Sequence, residues 1–277
     1  MLDYLEQEYN LQDPNIISIL DEVSLWSARF GIVLLDNLEL MANINVLDVG
    51  CGSGFPLFEL AHIHGPSCEF TGVDISEEAL ARARQKQKLY NLHNIKLLKT
   101  DGLALALPDS HFDLIVSNLG LNNFENPQAV LTECFRVARP GARLVLTTNL
   151  KGHLREFYAV FDETLVALGE THALPKLADN ENHRGTRESV CALVQAVGFR
   201  IVKIIEDSFY LYFSDGSSLL RHFLVKIGFL PGWRQVVAGT SEEKVFTELE
   251  RRLNQLANQN NILKMTIPRL YLEACKN

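Results

Sequence analysis

Apolar and polar residues along this chain follow two rhythms, and the switch between them repeats. Val46, Leu47 and Val49 form a short β-prone apolar run, which predicts a buried strand over 46–49. Residues 55–64 then change to helical spacing. The succession continues with a strand over 68–74, a helix over 77–90, and strands over 95–100 and 112–117. A helix over 127–137 and a strand over 143–149 complete it. Ser76 before Glu77 and Glu78 is a helix-start signal, Pro127 opens another helix, and Ala138-Arg139-Pro140-Gly141 reads as its stop. The unbroken apolar run 114–116 marks a strand buried on both faces. Such β–α units with short connections imply a mostly parallel sheet with helices on both faces.

The flanks are less regular. Residues 1–20 hold two weak helices separated by Pro14, and 24–40 form a stronger one, with Leu25, Phe30, Val33, Leu34, Leu38 and Met41 near helical spacing. Downstream, 153–170 carries an apolar stripe of Leu154, Phe157, Tyr158, Phe161, Leu165 and Leu168, and a further helix spans 186–197. Residues 200–206 alternate as a strand and 210–213 form another short one. The stretch 219–260 is mostly helical, broken at Gly228 and at Pro231-Gly232, and 265–275 is a final strand interrupted by Pro268.

Chemistry concentrates at 45–54, Asn-Val-Leu-Asp-Val-Gly-Cys-Gly-Ser-Gly. Alternating Gly50, Gly52 and Gly54 between a strand and a helix bring bare backbone, and the free N–H groups of a helix start, close to a ligand. The dinucleotide fingerprint places its third glycine one position later, and a pyrophosphate ill suits Asp48 at the strand end. Asp74 ends the second strand, 20 residues past Gly54, where a carboxylate can accept hydrogen bonds from both hydroxyls of a ribose. Ile75 offers an apolar face to a base. The stretch 118–124 leaves the fourth strand at the same end of the sheet, where ligands gather in open α/β folds.

The run Asp48-Val49-Gly50-Cys51-Gly52-Ser53-Gly54 resembles motif I of the class I methyltransferases that use S-adenosylmethionine, and the landmarks from Val46 to about Asn149 follow in that family's order. Gly120-Leu121-Asn122-Asn123 and residues 136–143 are most similar to the ubiquinone/menaquinone-biosynthesis C-methyltransferases and the small-molecule enzymes near them. Their loop commonly reads Gly-Leu-Arg-Asn, so Asn122 stands where the arginine would be. The resemblance implies a Rossmann-like α/β fold, a seven-stranded, mostly parallel sheet that finishes with an antiparallel strand pair. It implies cofactor contacts at Asp48, Gly50, Cys51, Gly52, Gly54, Asp74, Ile75, Asp101, Gly102, Asn118 and Leu119, with Asp48 an indirect partner of the ammonium and Asp101 accepting from the adenine amino group. Trp26 and Ser27 precede motif I, where the family lays a segment over the methionine end. Trp26, Asn122, Asn123 and Tyr212 are candidate acceptor contacts.

The implied reaction is in-line transfer of a methyl group to oxygen or carbon of a phenol, quinone or lipid-like small molecule, leaving S-adenosylhomocysteine. No general base declares itself; His222 and His153 are the candidates. Roughly 50 residues separate the two members of the expected terminal strand pair, and so long an insertion is seldom passive. Residues 217–260 are therefore expected to be a helical cover holding acceptor-selective residues. The chain is expected to be one domain over 1–277, with N-terminal helices over 1–44, a cofactor core over 45–150 and a C-terminal half over 151–277.

Composition narrows the alternatives. A net charge of −8 disfavours a nucleic-acid backbone as partner, and 47% hydrophobic residues suffice for a large core. A protein or nucleic-acid methyltransferase is a second reading, but Asn118-Leu119-Gly120-Leu121 lacks the prolines and aromatic of an Asn-Pro-Pro-Tyr tetrad. A catalytically silent cofactor-binding partner subunit is a third. The five scattered cysteines form no Cys-x-x-Cys pair, no His/Cys cluster has metal-ligand spacing, and no metal is expected. The scattered thiols, read as reduced, with an acidic N-terminus and no membrane-length apolar run, point to a cytoplasmic protein; a monomer or homodimer is expected.

Overall fold

Strands β1 (Asn45–Val49), β2 (Glu69–Asp74), β3 (Ile95–Lys99), β4 (Phe112–Asn118), β5 (Ala138–Asn149), β6 (Arg200–Phe213) and β7 (Leu263–Cys275) form one seven-stranded sheet, in the order β3-β2-β1-β4-β5-β7-β6. They are seen in a computed structural model that describes residues 2–7, 9–20 and 24–277. From β3 to β5 all neighbours are parallel; β7 is antiparallel to β5, from Arg143 opposite Cys275 to Asn149 opposite Arg269. The helices before the fifth strand's end are α1 (Asp3–Glu6), α2 (Pro14–Leu20), α3 (Ser24–Asn37), α4 (Leu57–His64), α5 (Glu77–Tyr90) and α6 (Pro127–Val137). After it come α7 (Arg155–Leu168), α8 (Leu174–Asn182), α9 (Arg187–Ala196), α10 (Gly216–Arg221), α11 (Phe223–Gly228), α12 (Leu230–Val236) and α13 (Glu242–Asn260). The expected fold is thus present, with α10 to α13 inserted before the last strand. Leu25, counted above in the apolar stripe of the third helix, lies outside the residues whose side chains are described.

Local signals explain the element boundaries. Ser76 caps α5 by accepting from the Ala79 amide at 3.1 Å, Asn91 closes it in the left-handed region, and Asn126 caps α6 ahead of Pro127. Four expectations shift. Ala138 already pairs with Phe112, so the Pro-Gly stop lies inside β5, where the register slips between Phe112 and Leu114. The 200–206 and 210–213 segments are one continuous strand, β6, whose polar residues 206–208 are exposed at the edge of the sheet. Pro268 does not interrupt β7; its carbonyl accepts from the Leu150 amide at 3.1 Å. Helix α8 has no sequence counterpart above, because only Leu174 and Leu177 mark its apolar side.

The chain forms two compact units. A sheet unit comprises Asn10–Asn149, Thr186–Glu206 and Arg269–Asn277. Its core packs Leu34, Leu57, Leu60 and Leu80 against Val46, Phe70, Leu114, Val116 and Val145. A helical unit comprises Met1–Tyr9, Leu150–Gly185 and Asp207–Pro268. There Phe157 stacks on Trp233 at 3.8 Å, and Phe246 meets Phe161 and Tyr4. These bounds differ from a division at residue 150, because α9 and the last strand's second half return to the sheet unit. No helix among the described residues is long and apolar enough to cross a membrane.

Candidate active site

The glycine turn after β1 is shaped by backbone conformations that side chains resist. Gly50, Gly52 and Gly54 have φ of +81°, +52° and +106°, and a Cβ on Gly54 would overlap the Phe58 ring. The turn is tied to the end of β2: the Gly50 and Cys51 amides donate to the Val73 carbonyl at 2.9 and 3.0 Å. Asp74 accepts from the Gly52 amide at 2.8 Å through Oδ2 and from the Ser76 amide at 2.9 Å through Oδ1. Each carboxylate oxygen keeps further lone-pair capacity for a ligand hydroxyl. From β4, Ser117 Oγ donates to the Val49 carbonyl at 2.7 Å. Gly120 closes against Ser117 and Phe124, leaving no room for a side chain.

These elements frame two cavities within the sheet unit. The first, ≈ 310 Å³, is lined by Gly50, Asp74, Ile75, Asp101, Gly102, Leu103, Asn118, Leu119, Asn123 and Phe124, among others. Ile75 is 68% exposed, so it and Leu103 give apolar surface to the cavity. The second, ≈ 680 Å³, is lined by Ser27, Ala28 and residues 50–55, and shares Gly50, Asn118 and Leu119 with the first. Both volumes fall within the roughly 300–1,000 Å³ of small-molecule sites. Every sequence-predicted cofactor residue except Asp48 lines one or both.

Asp48 is fully buried, and neither carboxyl oxygen has a hydrogen-bond partner. Burial first, and then the Asp74 charge, push its pKa up to about 8 against the opposing pull of the Leu57 amide. Burial and the same two carboxylates raise the Cys51 thiol, which is no nucleophile at neutral pH. The donor set fits S-adenosylmethionine: a ribose acceptor, an apolar slot beside an exposed carboxylate, backbone amides in a side-chain-free turn, and a buried carboxyl without a hydrogen-bond partner at the end of β1.

The candidate acceptor residues are divided between the two units. Asn118 is committed to the frame, accepting from Thr147 Oγ1 at 2.7 Å and donating to the Ser27 carbonyl at 3.2 Å. Asn122 ties its loop to the end of β5, donating to the Asn149 carbonyl at 2.8 Å and to Asn149 Oδ1 at 2.7 Å, and lines neither cavity. Asn123 lines the smaller cavity, whereas Trp26 lines neither and packs edge-on against Phe30 at 5.3 Å. Tyr212, His222 and His153 belong to the helical unit. Tyr212 is exposed beside Tyr210; His222 lies between α10 and α11, edge-on to Phe213 at 5.5 Å, and burial lowers its pKa. His153 is fully buried, 5.1 Å from the Phe229 ring, and burial followed by the Arg184 and His183 charges holds it neutral. Sequence reasoning passed over Gly120 and Arg184; the Gly-Leu-Asn-Asn loop signalled the first, and nothing local signalled the second.

Residues 40–186 match the profile of a family described as methyltransferase domain. Demethylmenaquinone methyltransferase of Listeria welshimeri is 31% identical over 195 residues, covering 67% of this chain and 80% of that protein. The enzyme of the same name from Lactococcus lactis is 33% identical over 224 residues, covering 76% and 83%. Among solved structures, a SAM-dependent methyltransferase from Aquifex aeolicus shares the fold at a TM-score of 0.54 and 24% identity, covering 70% of this chain and 92% of that one. The chain therefore belongs to the methyltransferase-domain family and is an S-adenosylmethionine-dependent methyltransferase of class I fold.

Proposed function

We propose that the acceptor is a hydroquinone-type aromatic compound, methylated at ring carbon or oxygen, and that the two cavities of the sheet unit receive the cofactor. The observation that carries the acceptor class is the identity of 31% and 33% with demethylmenaquinone methyltransferases over two thirds or more of the chain. When bound, the sulfonium supplies an already activated methyl group. What the chain adds is position. Asp74 would accept from the ribose hydroxyls and Asp101 from the adenine amino group, with Ile75 and Leu103 offering apolar surface to the base. Gly50, Cys51, Gly52 and Gly54 present main chain to the methionine part, with Asp48 acting indirectly; Gly102, Asn118 and Leu119 complete the walls. Orientation of this kind supplies on the order of 7–11 kcal/mol in favourable cases.

An ionised hydroquinone is nucleophilic at oxygen and at the adjacent ring carbon, so it needs little help from a base. His153 and His222 are unprotonated at neutral pH, but the burial that lowers their pKa, joined at His153 by the Arg184 and His183 charges, makes each a weak proton acceptor. Asn123 is a donor for an acceptor oxygen, and Trp26, Asn122, Tyr212 and the stretch 217–260 remain proposed contributors to acceptor choice, the last supported by its length within a strand pair. We place the protein in the cytoplasm, in line with five free cysteines, as a monomer or homodimer.

Labelled-methyl transfer tests this reading. With a reduced naphthoquinone offered beside simple phenols, amines, thiols and fatty acids, label is expected in the hydroquinone. Label confined to amines, thiols or macromolecules overturns the acceptor class. Cofactor binding with no labelled acceptor favours a silent partner subunit.

A further inference from the structure

The helical unit buries a positive charge that no carboxylate among the described residues neutralises. Arg184 follows α8 and is 9% exposed. Among the described residues the Tyr158 hydroxyl is the group that supports its charge, and its Nη1 meets no acceptor. Tyr158 is itself committed: it donates to Asn180 Oδ1 at 2.8 Å and accepts from Trp233 Nε1 at 3.3 Å. Around the pair lie fully buried His153 and Trp233, the latter stacked on Phe157. His183 adds a further imidazole, held by the Asn180 carbonyl at 2.6 Å, and Glu181 acts on Tyr158 only from a half-buried position on α8.

A guanidinium taken out of water without a counter-charge is strongly unfavourable, and buried charges are normally paired. Hydrogen bonding to Tyr158 does not account for it, because a neutral amide would serve that hydroxyl without the charge. The missing partner is an anion. Arginine's planar, weakly hydrated fork suits carboxylate-like and phenolate-like oxygens. Aromatic surroundings of low polarity favour an anion whose charge spreads over a ring above a compact, hydrated one such as phosphate.

We propose that Arg184, beside the Tyr158 hydroxyl and the ring of Trp233, is the docking point for the oxyanion of an aromatic ligand. The binding of such an oxyanion does not depend on the proposed function. Equilibrium dialysis of the full chain against 4-nitrophenolate at alkaline pH, and against uncharged nitrobenzene, tests it. The wild type is expected to hold the phenolate at least about tenfold more tightly than nitrobenzene. Arg184→Met is expected to lose that preference and Arg184→Lys to keep part of it, with S-adenosylhomocysteine affinity unchanged in both. A wild type without the preference, or a preference undiminished in Arg184→Met, overturns the proposal. Should Arg184→Met fail to fold, Arg184→Lys decides: a reduced preference supports the site and an undiminished one rejects it. Displacement of the phenolate by equimolar inorganic phosphate rejects the aromatic class.

Discussion

The sheet unit and the helical unit hold their polar groups in opposite ways. Around the glycine turn, side chains are fixed by main chain: Asp74 by the Gly52 and Ser76 amides, Ser117 by the Val49 carbonyl, Asn118 partly by the Ser27 carbonyl. In the helical unit Tyr158, Asn180, Trp233 and Arg184 hold one another, side chain to side chain. Among the described residues each unit also buries one charge-bearing group without a counter-ion, Asp48 in the first and Arg184 in the second. The two have different remedies. A carboxyl can discard its charge by taking a proton, and Asp48, raised to about 8, does so at neutral pH. A guanidinium cannot lose its proton under ordinary conditions. Asp48 therefore needs no ligand to lose its charge, and Arg184 keeps its own.

Asp48 gives the largest expected effect. Its pKa rises from 3.8 to about 8 on folding, so between those values the native chain holds a proton that the unfolded chain has released. The stability this contributes is fully present below pH 3.8 and is lost as pH rises through about 8, with a slope of about 1.4 kcal/mol per pH unit for one proton. Asp48→Asn should remove that slope and be the more stable protein at pH 8, as read by urea unfolding across pH. Parallel pH profiles for the two proteins would show that Asp48 is charged or solvated in the native state.

Gly54→Val comes next. With φ at +106° and the Phe58 ring in the way, the expected cost is on the order of 1–3 kcal/mol from the backbone alone, seen as a lower urea midpoint. An unchanged midpoint would mean the turn does not need its glycine. Asp74→Ala should weaken S-adenosylmethionine binding by at least tenfold, about 1.4 kcal/mol, in a folded protein. An unaltered dissociation constant would remove the ribose role. Asn122→Ala is the mildest: loss of its bonds to Asn149 should lower stability by about 1 kcal/mol, with cofactor affinity unmoved. A large loss of affinity instead would bring Asn122 back to the ligand.

What could be read from the sequence follows the same division. Gly50, Gly52, Gly54, the Ser76 cap and Asp74 at a strand end are local chemistry, each understood from residues within a few positions. Asn122 is not, because its partner Asn149 lies 27 residues away on another strand. Arg184 sits in a stretch, His183-Arg184-Gly185, that reads as a polar turn; its burial is decided by Tyr158 on α7 and by the rings packed there. Continuity of β6 through Asp207 and Ser208 depends on its place at the sheet edge, where polar side chains reach solvent.

Calorimetric titration of the full chain with S-adenosylmethionine, and separately with S-adenosylhomocysteine, tests the cofactor assignment most directly. The expected result is one saturable site for each ligand, both lost or weakened together in Asp74→Ala. No heat with either ligand, in a chain shown to be folded, would contradict it.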